Sequence, residues 1–359
     1  MTKTLPRIGY SPIASDLAAP GDHRRFVAYA RARGLHFELA RADQDYDIVV
    51  LSEAADISVW PDYQRGKIVY DLIDSYLSVP RTDPKQLLRG PAWYVLGKHQ
   101  KLRFDYLSSI RAMCRRADAV VCSTLEQRDA IGTFCSNVHL ILDAHSTVVR
   151  NVKEVYAAGE PFRLVWEGLP NNLPQLAEVA PILRRLAEKR AFELHVVTDR
   201  YRSRLKGMLG RIETRDFLAR HFSNAVFHEW HEQTCSEIVT SCDIALIPID
   251  LRDPFVCGKP ENKLLLLWRM AMPVVVAATP AYRRAMAAVG TPELACETES
   301  QWIAAIEQMC ADQDGRRDAA ARGRVYAERA HGSEVVFAAW DRLFQSLGYS
   351  FSPMEKVAG

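Results

Sequence analysis

The residues with the clearest chemical potential stand close together in the second half of the chain, around the start of a predicted helix over residues 262–270. They are Lys259, Glu261, Asn262 and Lys263. A helix N-terminus offers unpaired N–H groups and a partial positive charge, and two lysines one turn apart add cationic charge to it. Such a terminus suits a diphosphate. The plainer alternative is that Glu261 interacts only with the helix dipole and that the lysines are solvated.

Further candidates in the second half follow predicted strands, where open α/β sheets bind their ligands. They are Gly168, Asp199, Arg200, Trp230 and Thr279. Arg200 follows the strand FELHVV and is predicted to reach a phosphate, together with Lys263. For Trp230 a packing role is the more common explanation, and Thr279 is alternatively the cap of the next helix.

The first half offers a second set of polar candidates. Gly21, Asp22 and Arg24 form a predicted turn into a helix and are candidates to line a ligand site. The equally good alternative is an N-cap followed by exposed arginines. Asp74 and Tyr76 follow the predicted strand KIVYDLI and are expected to line a site. His99, in the basic loop KHQK, is a candidate whose plainer interpretation is a surface histidine.

Short buried runs alternate with amphipathic stretches along the whole chain, a pattern typical of parallel sheets covered by helices. Predicted strands include 47–52, 67–73, 119–122, 162–166, 192–197, 244–249 and 274–277; predicted helices include 22–33, 102–116, 172–189 and 333–347. A polar stretch at 145–161 interrupts the series, which then restarts. We therefore predict two doubly wound domains, 1–153 and 154–332, with a C-terminal helix at 333–350 that packs back on the first.

Composition favours an ordinary globular protein, with 359 residues, 48% hydrophobic and 25% charged. The 46 Lys and Arg residues nearly balance 44 Asp and Glu, so charge gives no case for nucleic acid as partner. Basic runs at 184–190 and 200–206 are expected to be solvated helix faces, with the alternative that a few of these residues face a phosphate or an anionic membrane surface. Eight cysteines without a Cys-x-x-Cys pair, and no apolar leader, predict a cytoplasmic protein, peripheral at the inner membrane face if those basic runs bind lipid.

Several motif-based functions are excluded by spacing. His228 and His231 are three residues apart, whereas the zinc-protease motif needs a spacing of four, so no metal site is predicted. The chain has no P-loop motif, no Gly-x-Gly-x-x-Gly after its first strand, and no Gly-x-Ser-x-Gly elbow. We expect no resident cofactor.

The stretch CDIALIPIDLRDPFVCGKPENKLLLLWRMAMPVVVAATPAYRR, residues 242–284, resembles the C-terminal domain of GT-B glycosyltransferases, and more narrowly the retaining GT4-like families. ADAVVCST at 117–124 and VYDLID at 69–74 resemble strands of their N-terminal domain. The resemblance implies an α/β GT-B fold, with two Rossmann-like domains facing across a cleft. It further implies metal-independent transfer of a sugar from a nucleotide-sugar donor to a glycan or lipid-linked acceptor, in bacterial surface polysaccharide synthesis.

By the same resemblance, Asp74, Lys263 and Arg200 are the expected catalytic residues, with Lys263 stabilising the leaving diphosphate. The family usually has an acid seven positions before the Pro-Val-Val strand and a glycine two positions before it. This chain has Leu266 and Ala271 there. The missing acid leaves open a catalytically silent protein that senses a nucleotide sugar or acts as an assembly partner, and a sugar-nucleotide epimerase is a further alternative.

Overall fold

The computed structural model describes residues 5–17, 19–80, 83–145, 147–203 and 210–352. Contacts divide the chain into two units. The first comprises residues up to Ala144 together with those from Ser333 onward, and the second runs from His145 to Gly332.

The first unit has six strands, β1 (Ile8–Ser11), β2 (Glu38–Leu39), β3 (Ile48–Ser52), β4 (Lys67–Asp71), β5 (Ala119–Cys122) and β6 (Val138–Leu140). Its helices are α1 (Pro20–His23), α2 (Phe26–Arg33), α3 (Pro84–Val95), α4 (Tyr106–Arg116) and α5 (Leu125–Gly132), with 3-10 turns at Trp60–Asp62 and Tyr76–Ser78. The strands pair in parallel in the order β2-β1-β3-β4-β5-β6. All five residues of β3 are buried, because helices cover both faces of a parallel sheet.

The second unit repeats this architecture. Its strands are β7 (Phe162–Glu167), β8 (Phe192–Thr198), β9 (Tyr201–Ser203), β10 (Arg211–Glu213), β11 (Ala225–Glu229), β12 (Ile244–Ile247), β13 (Val274–Ala277) and β14 (Ala295–Cys296). Its helices are α6 (Leu173–Ala177), α7 (Ala180–Ala187), α8 (Thr214–His221), α9 (Cys235–Thr240), α10 (Pro254–Cys257), α11 (Asn262–Arg269), α12 (Pro280–Ala288), α13 (Glu299–Ala311) and α14 (Gln313–His331), with 3-10 turns at Pro170–Asn172 and Pro292–Leu294. Six strands pair in parallel in the order β11-β8-β7-β12-β13-β14, while β9 and β10 form an antiparallel hairpin.

The last helix, α15 (Ser333–Ser346), belongs to the first unit. Its Trp340 and Phe344 are fully buried and stack on Tyr29 of α2, with ring centroids 5.8 and 5.4 Å apart. Asp341 of α15 accepts hydrogen bonds from the Tyr29 hydroxyl at 2.8 Å and from Nε and Nη2 of Arg33 at 3.0 and 2.7 Å. Helix α15 therefore completes the apolar core on one face of the first sheet.

The boundary between the units lies earlier than the sequence predicts, at residue 144 rather than 153. The amine of Lys153 donates to the carbonyl oxygens of Thr240 and Cys242, at 3.2 and 2.7 Å. The backbone N–H groups of Arg150 and Asn151 donate to Ser236 Oγ. These bonds tie the polar stretch to α9 and make it part of the second unit.

Several predicted elements differ from the structure. The predicted helix over 102–116 begins only at Tyr106, because the Asp105 side chain accepts from Ser108 N and caps it. The predicted helix over 22–33 is divided into α1 and α2. The basic stretch after Thr198, predicted as a helix, forms the strands β9 and β10, and residues 204–209 lie outside the described part. Helix α3 has no counterpart in the prediction.

Candidate functional site

In the second unit the strand order reverses between β7 and β12, since β8 and β11 extend the sheet on one side and β13 and β14 on the other. At such a reversal the connections leave in opposite directions and open a crevice at the carboxyl ends of the strands. Glu167 and Gly168 stand at that end of β7, beside the N-terminus of α11. The topology therefore places the predicted lysine-bearing turn at the ligand-binding edge of this sheet.

Lys263, in the first turn of α11, reaches across to the end of β7. Its amine donates to the carbonyl oxygen of Glu167, lies 3.9 Å from the Glu167 carboxylate, and is 5.0 Å from the centre of the Trp166 ring. A β-carbon at Gly168 would collide with the same amine and with the Trp166 ring. Glycine is therefore what allows the lysine to approach the strand end. The Lys263 side chain stays 23% exposed.

The other residues of this turn lie around Lys263. The Lys259 amine donates to Asn172 Oδ1 at 3.2 Å, in the 3-10 turn that follows Gly168. Asn262 is the first residue of α11, and Glu261 occupies its N-cap position without a side-chain capping bond. All three are partly exposed. Both lysines therefore approach the loop that follows β7, next to main-chain N–H groups at the start of α11.

Carboxylates end the strands on the other side of β7. Burial raises the pKa of Asp199, after β8, and the charges of Glu229 and Glu167 raise it further. Arg200 donates to Glu213 of β10 at 3.1 Å and lies over its neighbour Tyr201. The Glu213 hydrogen bond raises the pKa of the Arg200 guanidinium, which keeps it charged. Arg200 is thus engaged with the β9–β10 hairpin, whereas Lys259 and Lys263 approach the loop after β7.

Two predicted donor-side residues have identifiable structural roles. The backbone N–H of Trp230 donates to Thr198 O at 3.0 Å and continues the pairing of β11 with β8, while its ring is half-buried. Thr279 is fully buried, and its hydroxyl accepts from Tyr282 N at 3.3 Å as the N-cap of α12. For Thr279 the capping interpretation accounts for the conformation.

The two departures from the resembled pattern are both visible in α11 and the turn that ends it. Leu266 is 2% exposed and presents no polar group. Ala271 has φ of +54°, in the left-handed region that favours glycine. This explains the glycine of the resembled families, because a β-carbon in that conformation costs about 1 kcal/mol or more.

In the first unit the strand order reverses between β1 and β3, and the predicted turn at 21–24 lies after β1. Asp22 is fully buried, and its carboxylate accepts from the Tyr10 hydroxyl at 2.6 Å and from Ile13 N and Ala14 N at 2.7 and 2.9 Å. A β-carbon at Gly21 would collide with the Ile13 side chain. Gly21 and Asp22 therefore fix the loop after β1, and the predicted cap with exposed arginines does not form.

The neighbouring arginines are not exposed either. Arg24 is half-buried, and its Nε has no hydrogen-bond partner among the described residues. Arg25, which the sequence did not single out, has no exposed side-chain area. It donates twice to Asp71, at 2.6 and 2.7 Å, and once to Asp143 at 3.1 Å. The sequence offered only one indication of these ion pairs, the acid at the end of β4, because Asp143 comes from a distant segment.

Asp74 lies beyond β4 and is close to a second carboxylate. Its backbone N–H donates to Glu53 Oε2 at 3.0 Å. Burial, then the charge of Asp74, raises the pKa of Glu53 well above its usual range. Glu53 follows β3, so the two acids stand at neighbouring strand ends. Sequence reasoning missed Glu53, although a glutamate directly after a strand was a readable signal.

Tyr76 and His99 are both buried, which corrects the interpretation of His99 as a surface residue. The His99 ring is 2% exposed, stacks on Tyr106 with centroids 6.0 Å apart, and packs on Trp93. Burial lowers the pKa of His99. Neither ring nitrogen has a hydrogen-bond partner among the described residues. Tyr76 packs edge-to-face on Tyr106, with the Arg89 guanidinium 4.7 Å from its ring centre.

The predicted basic helix face at 184–190 is largely neutralised. Arg185 pairs with Glu299 at 2.5 Å and Lys189 with Glu307 at 2.6 Å, both on α13. Within residues 5–352, where the structure describes them, no group of three or more His, Cys, Asp and Glu side chains has the geometry to hold a metal ion. No described helix has the length and apolar character needed to cross a bilayer.

No protein-family model matches the chain, and no curated protein matches it in sequence. Solved structures do match. A TarM variant of S. aureus, solved with fondaparinux, α-GlcNAc-glycerol and UDP, shares 11% identity with a TM-score of 0.54, over 83% of this chain and 55% of TarM. This chain thus spans about half the length of TarM.

Two further structures match over more of their own length. The sucrose-phosphate synthase of Thermosynechococcus elongatus gives a TM-score of 0.60 at 12% identity, over 90% of this chain and 76% of the synthase. WaaG, a glycosyltransferase involved in lipopolysaccharide biosynthesis, gives 0.52 at 16% identity, over 83% and 78%. At these identities the matches establish the fold. The prediction of two Rossmann-like parallel-sheet domains of the GT-B class is confirmed.

Proposed function

We propose that this chain is a glycosyltransferase whose second unit binds a nucleotide-sugar donor at the corner formed by the end of β7 and the start of α11. The observation that carries the proposal is the approach of Lys263 to Glu167 and Gly168 at the point where the strand order reverses. A half-buried cation beside helix N–H groups suits a diphosphate. The fold shared with TarM, WaaG and sucrose-phosphate synthase supports the same chemistry.

In the proposed reaction the bond between the anomeric carbon and the diphosphate oxygen breaks, and a bond from that carbon to an acceptor hydroxyl oxygen forms. The hydroxyl proton is released, and the nucleoside diphosphate leaves with an added negative charge. Lys263, with Lys259, would stabilise that charge, so the reaction would need no metal ion. Glu261 and Asn262 are the proposed hydroxyl ligands. Retention of configuration is a further part of the proposal.

The acceptor is proposed to be a hydroxyl of a glycan or lipid-linked glycan in bacterial surface polysaccharide synthesis. TarM was solved with a glycerol glycoside of GlcNAc, and WaaG acts in lipopolysaccharide synthesis, which makes such acceptors the first to assay.

Calorimetric titration with UDP, GDP, dTDP and CMP tests the donor site. Lys263→Met should weaken binding of the preferred nucleotide about tenfold or more, since a charge-assisted bond contributes roughly 1.5–3 kcal/mol. Lys189→Met is the matched control, because Lys189 lies in the turn after α7 and is an exposed lysine that pairs with Glu307. If Lys263→Met binds every nucleotide as tightly as the original chain and turns over donor equally fast, the assignment is wrong.

A second candidate is a catalytically silent GT-B protein that binds a nucleotide sugar as a sensor. Leu266, buried and apolar where the resembled families carry an acid, favours it. Incubating each nucleotide sugar with surface-glycan acceptors separates the two. Release of nucleoside diphosphate that depends on acceptor supports the transferase, whereas saturable binding without release supports the sensor.

A further inference from the structure

Exposed apolar side chains are concentrated in one short segment of the first unit. Of the 14 large hydrophobic residues that are exposed in the described part of the chain, six lie between residues 88 and 104. They are Leu88 (69% exposed), Tyr94 (45%), Val95 (80%), Leu96 (40%), Leu102 (43%) and Phe104 (70%). We call this set the α3 surface. Scattered exposed apolar residues are ordinary, but a concentration of this kind marks an interaction site.

Helix α3 carries exposed apolar residues on a face that is open to solvent. Its exposed positions Leu88, Ala92 and Val95 are spaced four and three residues apart, and Leu96 follows at the helix end, so they share one face. Among the residues of the helix whose burial is described, Gln86, Gly90 and Trp93 are buried. A helix that faces only water would place its polar residues outward. The outward face of α3 therefore lacks the covering that its composition requires.

The segment after α3 folds back and enlarges the same surface. Gly97, with φ of +68°, turns the chain, and the N–H groups of Lys98 and His99 donate to Trp93 O at 2.9 and 3.2 Å. The carbonyl oxygen of Arg103 then packs so closely on Gly90 that a β-carbon there would collide with it. Leu102 and Phe104 flank Arg103, so their exposed side chains lie beside α3 and extend its apolar face.

The segment that carries this apolar surface is basic. From the first residue of α3 to the first of α4 the chain contains Lys85, Arg89, Lys98, Lys101 and Arg103 against Asp105 alone, a net charge of 5 − 1 = +4. The whole chain carries +2, so the remainder sums to 2 − 4 = −2. Lys101 also pairs with Asp62, but both side chains are more than half exposed, so that pair is weak. The segment that carries the α3 surface is therefore basic, and its Lys98, Lys101 and Arg103 are exposed.

We propose that the α3 surface docks on a bilayer that contains anionic phospholipid, with its apolar side chains in the interface and its cations at the headgroups. Apolar burial and attraction to anionic lipid together give interfacial binding. A second copy of the chain is a poorer occupant, because a twofold contact would place +4 against +4. The proposal concerns binding alone and does not depend on donor or acceptor chemistry.

Co-sedimentation of the full chain with vesicles of phosphatidylcholine, with and without phosphatidylglycerol, tests it. The chain should bind the anionic vesicles, and added salt should weaken that binding. Val95→Asp/Phe104→Asp should lower the partition coefficient about tenfold or more, since two apolar anchors are replaced by charges repelled by the headgroups. Lys98→Glu should lower it about tenfold on anionic vesicles only.

Matched controls are the exposed valines of α14 and α15, in Val325→Asp/Val335→Asp, and Lys189→Glu just after α7. They should bind vesicles as the original chain does, and circular dichroism should show that all variants stay folded. The proposal fails if the original chain does not bind anionic vesicles, or if the α3 variants bind as tightly as the controls. It also fails if light scattering finds a dimer that only the α3 variants abolish, because the surface would then be an interface between copies.

Discussion

In the first unit, the side chain of Arg25 has no exposed area and donates three hydrogen bonds to Asp71 and Asp143. In the second unit, Lys263 is 23% exposed and donates to a main-chain carbonyl at the end of β7, against a glycine. Both cations stand beside the end of a parallel strand, at sheets of the same topology class. One is fully enclosed by carboxylates, and the other remains open to solvent.

This difference separates a structural cation from a candidate ligand-binding one. A guanidinium buried against two carboxylates is already neutralised, so a phosphate would have to displace both of them. A partly exposed ammonium beside helix N–H groups can accept an anion without breaking the core. A cation at a strand end is therefore insufficient evidence for an anion site, and its exposure decides between the two interpretations.

The largest loss of stability is expected from Arg25→Met, which leaves Asp71 and Asp143 buried without their cation. Removing one partner of a buried ion pair costs about 3–5 kcal/mol. Urea unfolding should show that loss in the free energy of unfolding of the first unit. Arg41→Met, whose pair with Asp43 is mostly exposed, should leave the free energy of unfolding nearly unchanged. Equal losses in the two variants would contradict the structural role of Arg25.

A smaller effect is expected from acid, to which His331 and Glu53 should contribute in opposite directions. Burial and the nearby Arg269 lower the pKa of His331, in the second unit, to about 4. The unfolded chain takes up that proton near pH 6.5 and the folded chain does not, so stability is lost as pH falls from 6.5 towards 4. Because the His331 side chain is partly exposed and solvent weakens the effect, we expect the free energy of unfolding to fall by about 2 kcal/mol.

His331→Gln should remove most of that loss when urea unfolding is compared at neutral pH and near pH 4.5. In the first unit the pKa of Glu53 is raised, so protonation of Glu53 stabilises the folded state. Glu53→Gln should therefore raise the free energy of unfolding only at pH values above the usual pKa of a glutamate. A His331→Gln protein as acid-sensitive as the original would refute the assignment of acid sensitivity to His331.

Gly168→Ala tests how tightly the Lys263 corner is packed. The added methyl must displace the lysine amine or the Trp166 ring, at a cost of about 1–2 kcal/mol. Nucleotide affinity, measured by calorimetry, should fall with stability. Gly132→Ala, at a helical position with open space around it, should be neutral or slightly stabilising. Unchanged affinity in Gly168→Ala would show that this corner does not bind the nucleotide.

The smallest effect is expected from Ala271→Gly, which relieves the left-handed backbone at the end of α11. Relief of about 1 kcal/mol is partly offset by the greater entropy of glycine in the unfolded chain, so a net gain of about 0.5 kcal/mol is expected. Thermal unfolding should show a rise in Tm of a few degrees at most. A fall in Tm would mean that the Ala271 methyl contributes packing that outweighs the backbone strain.

The sequence determined the central strands of both sheets because buried parallel strands are continuous apolar runs. IVVLS, AVVC and VVVA were recognised within a residue of their observed limits. Helix α3 was missed because several of its described apolar residues, among them Leu88 and Val95, are exposed and Pro91 stands inside it. Asp105, which caps α4, also moved the start of that helix by four residues from the predicted position.

For the site, the sequence determined which residue types stand near strand ends, since a βαβ series places loops at the carboxyl edge. Tertiary structure alone decided which of them are enclosed. The loop after β1 buries Asp22, and Asp143 neutralises Arg25 from a segment 118 residues away. Exposure and ion pairing depend on segments distant in sequence, and local periodicity carries no information about those partners. Lys263 could therefore be proposed from its position in the sequence, whereas its approach to Gly168 emerged only when β7 and α11 met in the fold.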